Sequence, residues 1–332
     1  MANTKIPPEL VDDQVFGRRN RIINGDMRIA QRGTSFTGSE YTLDRFEQVL
    51  SGGSATTTQE TFALGSEVEG FTKYLKQAVS TGDNYCGIIQ RIEDVKSLPQ
   101  GDVTISFYAK GTNPASGSLE LVIFAMPDGS TVERTYLDTT ITLTSSWQRF
   151  TKTFTVPSLS GLSTPTANSQ AYIRLSQRAS DTGTAAWELN LTGVQLELGS
   201  QATPFEFRSI GEELALCQRY CQKYGPYGTN SFPFGPSGYS YAATSTAVGQ
   251  ILPVELRASP TISFNGDGNP ELRGGNTAGS NTLSAVTSVS VVSAGTSLLM
   301  NVTTSGVGCE TGQVRVLCNA STNNFMIYDA EL

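Results

Sequence analysis

The sequence predicts a mainly β protein with two domains, on the basis of three observations. The chain has 332 residues, which is enough for two hydrophobic cores. Glycine is abundant at 33 residues and charged residues make up only 16%, a composition suited to short strands joined by turns. Alternating apolar and polar segments recur along the chain, and only one stretch has the period of an amphipathic helix. The predicted order is an N-terminal extended arm (1–20), a jelly-roll β-sandwich (21–207), a short coiled-coil-like neck helix (208–225) and a C-terminal β-sandwich (226–332).

The charge and composition exclude several classes of function. A net charge of −7 argues against binding to nucleic acid or to an anionic membrane surface. The absence of histidine excludes histidine-based catalytic triads and histidine metal sites. No stretch approaches a membrane span, and the N-terminus does not resemble a secretion signal, so we expect synthesis and folding in a cytoplasm. Five cysteines indicate buried reduced thiols, with a Cys309–Cys318 hairpin pair as the alternative.

The first 20 residues are predicted to form an arm. The pair Pro7-Pro8, after Ile6, forbids helix and favours an extended chain. Arg18, Arg19 and Arg21 make a small basic group. The arm is either a solvated tail or a segment that becomes ordered on another protein.

Strands are predicted at regular intervals up to about residue 207. Gly, Pro, Asn, Asp and Ser clusters separate them, a pattern typical of an antiparallel sandwich or jelly roll. An irregularity near Gly193 predicts a bulge in the last strand. The predicted strands are 21–23, 41–49, 71–79, 86–92, 102–110, 118–126, 134–143, 147–156, 170–178 and 186–198.

A helix is predicted from Ser209 to Tyr224. Ser209 and Glu212 fit a capping box, and Gly225 followed by Pro226 fits a helix end. The apolar residues are spaced 4, 3, 4, 3, as in the seam of a coiled coil. We interpret this stripe as an oligomerisation seam, with docking onto a neighbouring domain of the same chain as the alternative. The seam residues are Ile210, Leu214, Cys217, Cys221 and Tyr224.

Several segments resemble a class of tailed-bacteriophage fibre and virion-surface proteins. Residues 20–33 (NRIINGDMRIAQRG) with 41–46 resemble its opening, and 189–199 (LNLTGVQLELG) with 202–208 and 213–220 resemble the run that closes a jelly roll and enters a connecting helix. Residues 100–111 and 145–155 also resemble a carbohydrate-binding-module jelly roll, and 252–262 with 324–332 are similar to distal domains of such fibres, notably in marine phages. The resemblance implies a homotrimeric virion fibre, spike or surface appendage. Its implied partners are copies of itself, another phage tail or capsid protein contacted by the arm, and a host-surface glycan.

Residues 225–332 are predicted to form the distal domain. This region carries no lysine and few charges, which favours binding by hydrogen bonds and shape. Its aromatic residues line either a receptor pocket or a subunit contact. In the jelly roll the aromatic candidates for a sugar-binding face are Tyr85, Tyr108, Trp147 and Trp187. We interpret Trp147 as a core residue and Trp187 as a half-exposed residue with a structural role, and sugar contact is the alternative for both. The candidate receptor or glycan contacts are Tyr227, Phe232, Phe234, Tyr239, Tyr241 and Trp187.

The sequence contains no motif for catalysis. The adjacent carboxylates Glu93-Asp94 point to opposite faces if they lie on a strand, and Glu212-Glu213 are explained by the helix start. We therefore predict a non-enzymatic structural protein without a cofactor or assigned metal. The two alternatives are a capsid-decorating fibre without a receptor role and a polysaccharide depolymerase.

Overall fold

The chain divides into two compact units, one comprising the residues up to Glu213 and one running from Leu214 to Glu331. The α-helix α1 (Ile210–Gln218) spans this division. The structure is a computed structural model, and it describes residues 18–66, 68–81, 85–127, 133–158, 168–177, 185–225, 233–242, 244–265, 271–275, 281–293, 297–304, 314–318 and 325–331. Among these residues, no helix is both long and apolar enough to cross a membrane.

The N-terminal unit is a sandwich of two six-stranded antiparallel sheets. In the first sheet the strand order is β1-β4-β5-β12-β7-β10, and in the second it is β2-β3-β6-β11-β8-β9. The strands are β1 (Ser35–Phe36), β2 (Glu40–Tyr41), β3 (Phe46–Ser51), β4 (Ser54–Thr61), β5 (Lys73–Thr81), β6 (Tyr85–Glu93), β7 (Gly101–Thr112), β8 (Leu119–Met126), β9 (Arg134–Ile141), β10 (Gln148–Val156), β11 (Gln170–Ser176) and β12 (Trp187–Leu198). A 3-10 turn, Val95–Ser97, follows β6.

The core of the sandwich is made by alternate side chains from both sheets. Phe107 and Ala109 of β7 lie in one apolar cluster with Leu121 and Ile123 of β8 and Ile173 of β11. Each is 5% exposed or less. This alternation buries one face of each sheet, and it confirms the predicted mainly β sandwich. The eight strands predicted between residues 71 and 198 are all present.

Two local predictions have different outcomes. The predicted bulge is confirmed, because the pairing of β12 with β7 shifts register between Thr192 and Gln195, and Gly193 between them has a φ of 63°. The predicted strand at 21–23 is wrong. Arg21 instead makes a single backbone hydrogen bond from its N–H to the Leu196 carbonyl (2.9 Å), outside any strand.

The segment after Arg19 is fixed to the sandwich by buried polar side chains. Asn20 accepts the Ile22 N–H (2.9 Å) and the Leu196 N–H (3.1 Å), and its amide donates to the Val194 carbonyl (3.1 Å). Asn24 bonds to both backbone groups of Ile29 through its amide oxygen and nitrogen (2.9 and 2.8 Å). These bonds explain why a segment without secondary structure can lie buried.

Helix α1 begins as predicted and ends earlier. Ser209 caps it, accepting the Glu212 N–H on its hydroxyl (3.3 Å). The predicted continuation to Tyr224 is wrong, because α1 ends at Gln218 and a new strand, Cys221–Tyr224, begins three residues later. That strand pairs antiparallel with the strand Phe325–Asp329, so its backbone groups are used in a sheet and are not available to extend a helix.

The C-terminal unit is not the predicted sandwich. Its described strands form a closed six-stranded barrel, ordered β14-β15-β19-β18-β17-β20, and a separate three-stranded sheet, β13-β21-β16. A single apolar cluster joins Val248 and Met300 of the barrel to Met326 and Tyr328 of the sheet. Closure gives the barrel strands neighbours on both sides, which removes exposed sheet edges. The strands are β13 (Cys221–Tyr224), β14 (Pro233–Ala242), β15 (Ser245–Ile251), β16 (Thr261–Asn265), β17 (Glu271–Gly275), β18 (Asn281–Ser293), β19 (Ser297–Thr304), β20 (Val314–Cys318) and β21 (Phe325–Asp329).

Candidate functional site

The outer face of the first sheet carries aromatic and charged side chains. Leu75 of β5 and Ala109 of β7 point into the core. The alternation of a strand therefore directs Tyr74, Lys76 and Lys110 to the outer face. On β12, Leu189 and Leu191 are likewise buried in the core, which directs Glu188 and Asn190 outward beside Lys76 and Lys110.

Three aromatic rings meet on this face. The ring centroids of Phe62 and Tyr74 are 4.9 Å apart, those of Phe62 and Trp147 are 5.3 Å apart, and those of Tyr74 and Trp147 are 5.4 Å apart. Phe62 is 8% exposed, whereas Tyr74 and Trp147 are half-buried. The interpretation of Trp147 as a core residue is therefore wrong. It lies on the outer face because it shares the parity of Arg149 on β10 and not that of the inward Phe154.

A polar network borders these rings. Lys76 Nζ lies 2.9 Å from Glu188 Oε2, and the Asn190 amide donates to Glu188 Oε1 (2.8 Å). The Lys110 ammonium lies over the Trp147 ring, 5.3 Å from its centroid. We call Tyr74, Trp147, Lys76, Lys110, Glu188 and Asn190 the Tyr74–Trp147 site.

The charges in this site stabilise one another. Partial burial alone would raise the pKa of Glu188. Hydrogen bonds from Lys76 and Asn190, with the positive charges of Lys76 and Lys110, outweigh burial and hold that pKa below its usual value. The hydrogen bond to Glu188 raises the pKa of Lys76. Both groups are therefore charged at neutral pH, and the site presents fixed ionic groups beside aromatic surface. Asn190 is only 3% exposed, so its amide acts by holding Glu188 in place.

A second aromatic group lies on the same face and is more closely packed. Phe71 contacts Tyr108 and Phe205 at centroid distances of 5.8 and 4.9 Å. A side chain on Gly193 would come within 2.5 Å of the Phe71 ring, so the glycine at the bulge makes room for this ring. Burial, followed by a hydrogen bond to Glu69, raises the pKa of Tyr108 to about 12. We assign a packing role to this group.

The outer face of the second sheet has a different character. Arg91 pairs with Glu47 (2.8 Å), and Arg174 pairs with Glu120 (2.6 Å). The guanidinium of Arg91 lies over Tyr172, which is only 9% exposed. The polar groups of this face largely satisfy each other and cover its rings, so it offers a ligand less aromatic surface than the Tyr74–Trp147 site does.

The predicted receptor contacts are scattered. Trp187 is 2% exposed within the sandwich core and donates its indole N–H to Gln177 Oε1 (3.0 Å), so the expectation that it contacts a ligand is wrong. Tyr239 and Tyr241 of β14 are 57% and 45% exposed, and the Tyr241 hydroxyl donates to Asn301 (2.7 Å). Phe234 lies on the same strand. Tyr227 and Phe232 fall outside the described residues.

The five predicted seam residues do not form one helical stripe. Cys217, at the end of α1, and Cys221, on β13, are both 0% exposed within the single chain. Tyr224, also on β13, packs on Tyr328 of β21 with centroids 5.3 Å apart. Ile210 is 53% exposed, and Leu214 is half-buried. A seam along the whole stripe is therefore excluded by the early end of the helix.

The described residues of the predicted attachment group contact their own chain. Arg18 pairs with Glu212 (2.6 Å), and Arg19 donates to Thr203 (3.1 Å). Arg21 bonds through its backbone to β12. Ile6, Pro7 and Pro8 lie outside the described residues. Arg18 and Arg19 remain exposed, and their role in attachment stays a prediction.

Sequence reasoning missed Tyr74, Lys76, Lys110, Glu188 and Asn190. Strand parity gave a usable signal, because each is adjacent to an apolar residue that points into the core: Leu75, Ala109 or Leu189. What parity does not give is the pairing of β12 between β5 and β7, which brings these residues together. In the part of the chain that the structure describes, no cluster of three or more Cys, Asp or Glu side chains is arranged to hold a metal ion.

Comparisons with known proteins find similar solved structures but no family for this chain. No protein-family model matches the sequence. No curated protein matches it either. Solved structures that are similar include carbohydrate-binding domains. A sugar-binding protein of Bacteroides thetaiotaomicron, described as putative, is 13% identical (TM-score 0.37) over 55% of this chain and 100% of its own.

Two further structures illustrate the range. The N-terminal cellulose-binding domain of Cellulomonas fimi β-1,4-glucanase C is 19% identical (TM-score 0.27), over 53% of this chain and 95% of its own. The enzymatically active domain of bacteriophage CBA120 tailspike protein 4 is 13% identical (TM-score 0.35), over 54% of this chain and 21% of its own. Since all three TM-scores are below 0.5, a functional assignment has to rest on the geometry of this chain.

Proposed function

We propose that the N-terminal sandwich is a non-catalytic glycan-binding domain and that the Tyr74–Trp147 site is its binding surface. The observation that carries this proposal is the pair of half-buried rings, 5.4 Å apart, beside the Lys76–Glu188–Asn190 network. Rings of this kind stack on the C–H faces of a pyranose. Charged groups fixed beside them, here Lys76, Lys110 and Glu188, can form hydrogen bonds with sugar hydroxyls.

The site is organised before a ligand arrives. Phe62 supports both Tyr74 and Trp147 from below, and β-sheet hydrogen bonds fix the backbone under Tyr74 and Asn190. Glu188 is fixed by two donors. Little side-chain entropy is therefore lost on binding, which favours affinity from a small contact area.

Replacing Trp147 with Ala should weaken glycan binding at least about fivefold, because one stacked ring contributes on the order of 1–3 kcal/mol in comparable stacking sites. Tyr74→Ala should act in the same direction. The measurement is isothermal titration of the full chain with oligosaccharides found to bind in a glycan-array screen.

The matched control is Tyr239→Ala, which removes an exposed ring from the C-terminal unit. It should leave affinity unchanged. If Tyr239→Ala abolished binding while Trp147→Ala did not, the binding surface would be on the barrel and the assignment to the sandwich would be wrong.

We further propose that the chain is a structural bacteriophage virion protein, a trimeric fibre or spike attached through its N-terminal region. The support is the resemblance of residues 20–33 and 189–199 to phage fibre proteins. These two segments lie against each other in the fold, since the Gly25 carbonyl accepts the Val194 N–H (2.9 Å) and the Arg21 N–H donates to the Leu196 carbonyl. A capsid-decorating fibre is the alternative, and a depolymerase is less favoured because both oxygens of Glu188 already accept hydrogen bonds.

The expected result for the assembly is a trimer in light scattering of the purified full chain at micromolar concentration. A host-surface glycan and a tail or capsid protein are its expected partners on the virion. A monomeric mass over the same concentration range would contradict the fibre proposal. It would leave glycan binding by the sandwich intact, because the Tyr74–Trp147 site is built from one chain.

A further inference from the structure

The charges of the Tyr74–Trp147 site do not pair completely. Glu188 is the only carboxylate among its six residues, and both of its oxygens are occupied: Oε1 by the Asn190 amide (2.8 Å) and Oε2 by Lys76 (2.9 Å). Glu60 of β4, opposite Tyr74 in the β4–β5 ladder, is a second carboxylate on this face, and its charge acts on Lys76. Lys110 is a second cation. Among the described residues no carboxylate lies within ion-pair distance of its ammonium, whose close contact is the face of Trp147 (5.3 Å to the centroid). Lys110 therefore has no ion-pair partner within the described ranges, although its charge acts on Glu188 at longer range.

Contacts with β12 fix the main chain of Lys110. The Lys110 carbonyl accepts the Asn190 amide (3.4 Å), and its backbone pairs with Asn190 in the β7–β12 ladder. The ammonium of the neighbouring Lys73 already has a partner, because it donates a hydrogen bond to the Thr61 hydroxyl (2.7 Å). Because the Lys110 ammonium lies over the Trp147 ring, a sugar bound at these rings would lie next to it.

We propose that the glycan bound at the Tyr74–Trp147 site is anionic, with a uronate carboxylate or a sulfate ester paired to Lys110. This inference rests on the proposed glycan-binding function and narrows it to a class of ligand. An anionic group beside Lys110 completes the pairing that Glu188 cannot provide. Partial burial beside Trp147 makes such a charge-assisted hydrogen bond stronger than an open surface pair.

The experiment titrates the full chain with three hexasaccharides: oligogalacturonate, a sulfated galactan and neutral cellohexaose. At 50 mM NaCl we expect at least one anionic ligand to bind about tenfold or more tightly than the neutral one. The preference should shrink at 300 mM NaCl, because added salt screens a partly exposed pair. The two anionic arms show whether the carboxylate or the sulfate is the group recognised.

Variants of Lys110 test the residue itself. Lys110→Gln should lower affinity for the anionic hexasaccharide about five- to tenfold more than it lowers affinity for the neutral one. Lys110→Arg should retain most of the preference because the charge is kept. The control Lys96→Gln, at an exposed lysine after β6, should change neither affinity.

Two outcomes would overturn the inference, and they are distinguishable. Equal affinity for neutral and anionic hexasaccharides, with both lost in Trp147→Ala, would refute the anionic ligand while leaving glycan binding in place. No binding of any glycan in the titrations or on the array would refute glycan binding as well. An anionic preference that persists unchanged in Lys110→Gln would also refute the assignment to Lys110.

Discussion

Arg208→Met is expected to lower the free energy of unfolding of the sandwich by about 3–5 kcal/mol at neutral pH, as for the loss of one partner of a buried ion pair. Arg208 is 8% exposed, and Glu213 is 4% exposed. Arg208 Nη1 lies 3.3 Å from Glu213 Oε1, and the same nitrogen donates to the Ile22 carbonyl (3.1 Å). Its other terminal nitrogen donates to the Asn20 carbonyl.

The loss of stability caused by Arg208→Met should depend on pH. Burial raises the pKa of Glu213, although the Asn24 N–H and the Arg208 charge oppose the increase. A carboxyl with a raised folded pKa stabilises most below its ordinary value of 4.5, and this contribution is lost as the pH rises through the raised pKa. Removing Arg208 raises that pKa further. The difference between wild type and variant should therefore be smaller at pH 4 than at pH 7.

The adjacent glutamate supplies a matched control. Glu212 pairs with Arg18 at the surface, where their side chains are 36% and 50% exposed. Glu212→Ala should cost less than about 1 kcal/mol, because exposed ion pairs contribute little. Urea denaturation followed by circular dichroism measures both variants. Equal effects of Glu212→Ala and Arg208→Met would show that the buried pair does not hold the N-terminal segment.

Trp187→Ala should destabilise the sandwich by about 3–5 kcal/mol, the usual range for removing a buried aromatic side chain. Trp187 is 2% exposed, packs in the core with Leu189 and Leu191, and loses its hydrogen bond to Gln177 in the variant. Gln177 is 0% exposed, so the loss of the indole donor to its Oε1 adds to the cost. The loss should appear as an earlier unfolding transition in denaturant.

For Trp147→Ala we expect the opposite result: a small loss of stability and a large loss of glycan affinity. Its ring is half-buried on the outer face, so the expected cost in stability is about 1 kcal/mol, in the range of one aromatic contact. Its glycan affinity should fall at least about fivefold. If Trp147→Ala unfolded the sandwich as readily as Trp187→Ala, the outer cluster would be part of the core and the proposed site would lose its basis.

Strand positions in the sandwich were largely predictable from sequence. The alternation in β7 and β8 and the turn residues between strands located the elements to within a few residues. The extent of α1 was not predictable, because local spacing favours helix through Tyr224 while the competing partner, Phe325–Asp329, lies about a hundred residues further along the chain. Barrel closure was missed for the same reason, since the pairing of β14 with β20 joins distant segments.

The candidate site could not be assembled from the sequence alone. Each residue of the site could be placed on an outer face by parity alone. Their proximity required knowing that β12, the last strand of the sandwich, inserts between β5 and β7. Trp147 was predicted in the core and lies on the outer face, whereas Trp187 was predicted half exposed and lies in the core. The alternating Phe150 and Phe154 favoured a core position for Trp147, but its parity with Arg149 places it outside.

The positions of the only two tryptophans have a practical consequence for spectroscopy. Trp187, enclosed by the core, reports on the apolar interior and should emit at short wavelength until the sandwich unfolds. Trp147, beneath the Lys110 ammonium, reports on the outer face, where a bound ligand changes the polarity around its indole. The natural chain thus contains two intrinsic fluorophores, one for folding and one for ligand binding. Single Trp→Phe replacements separate their signals without any added label.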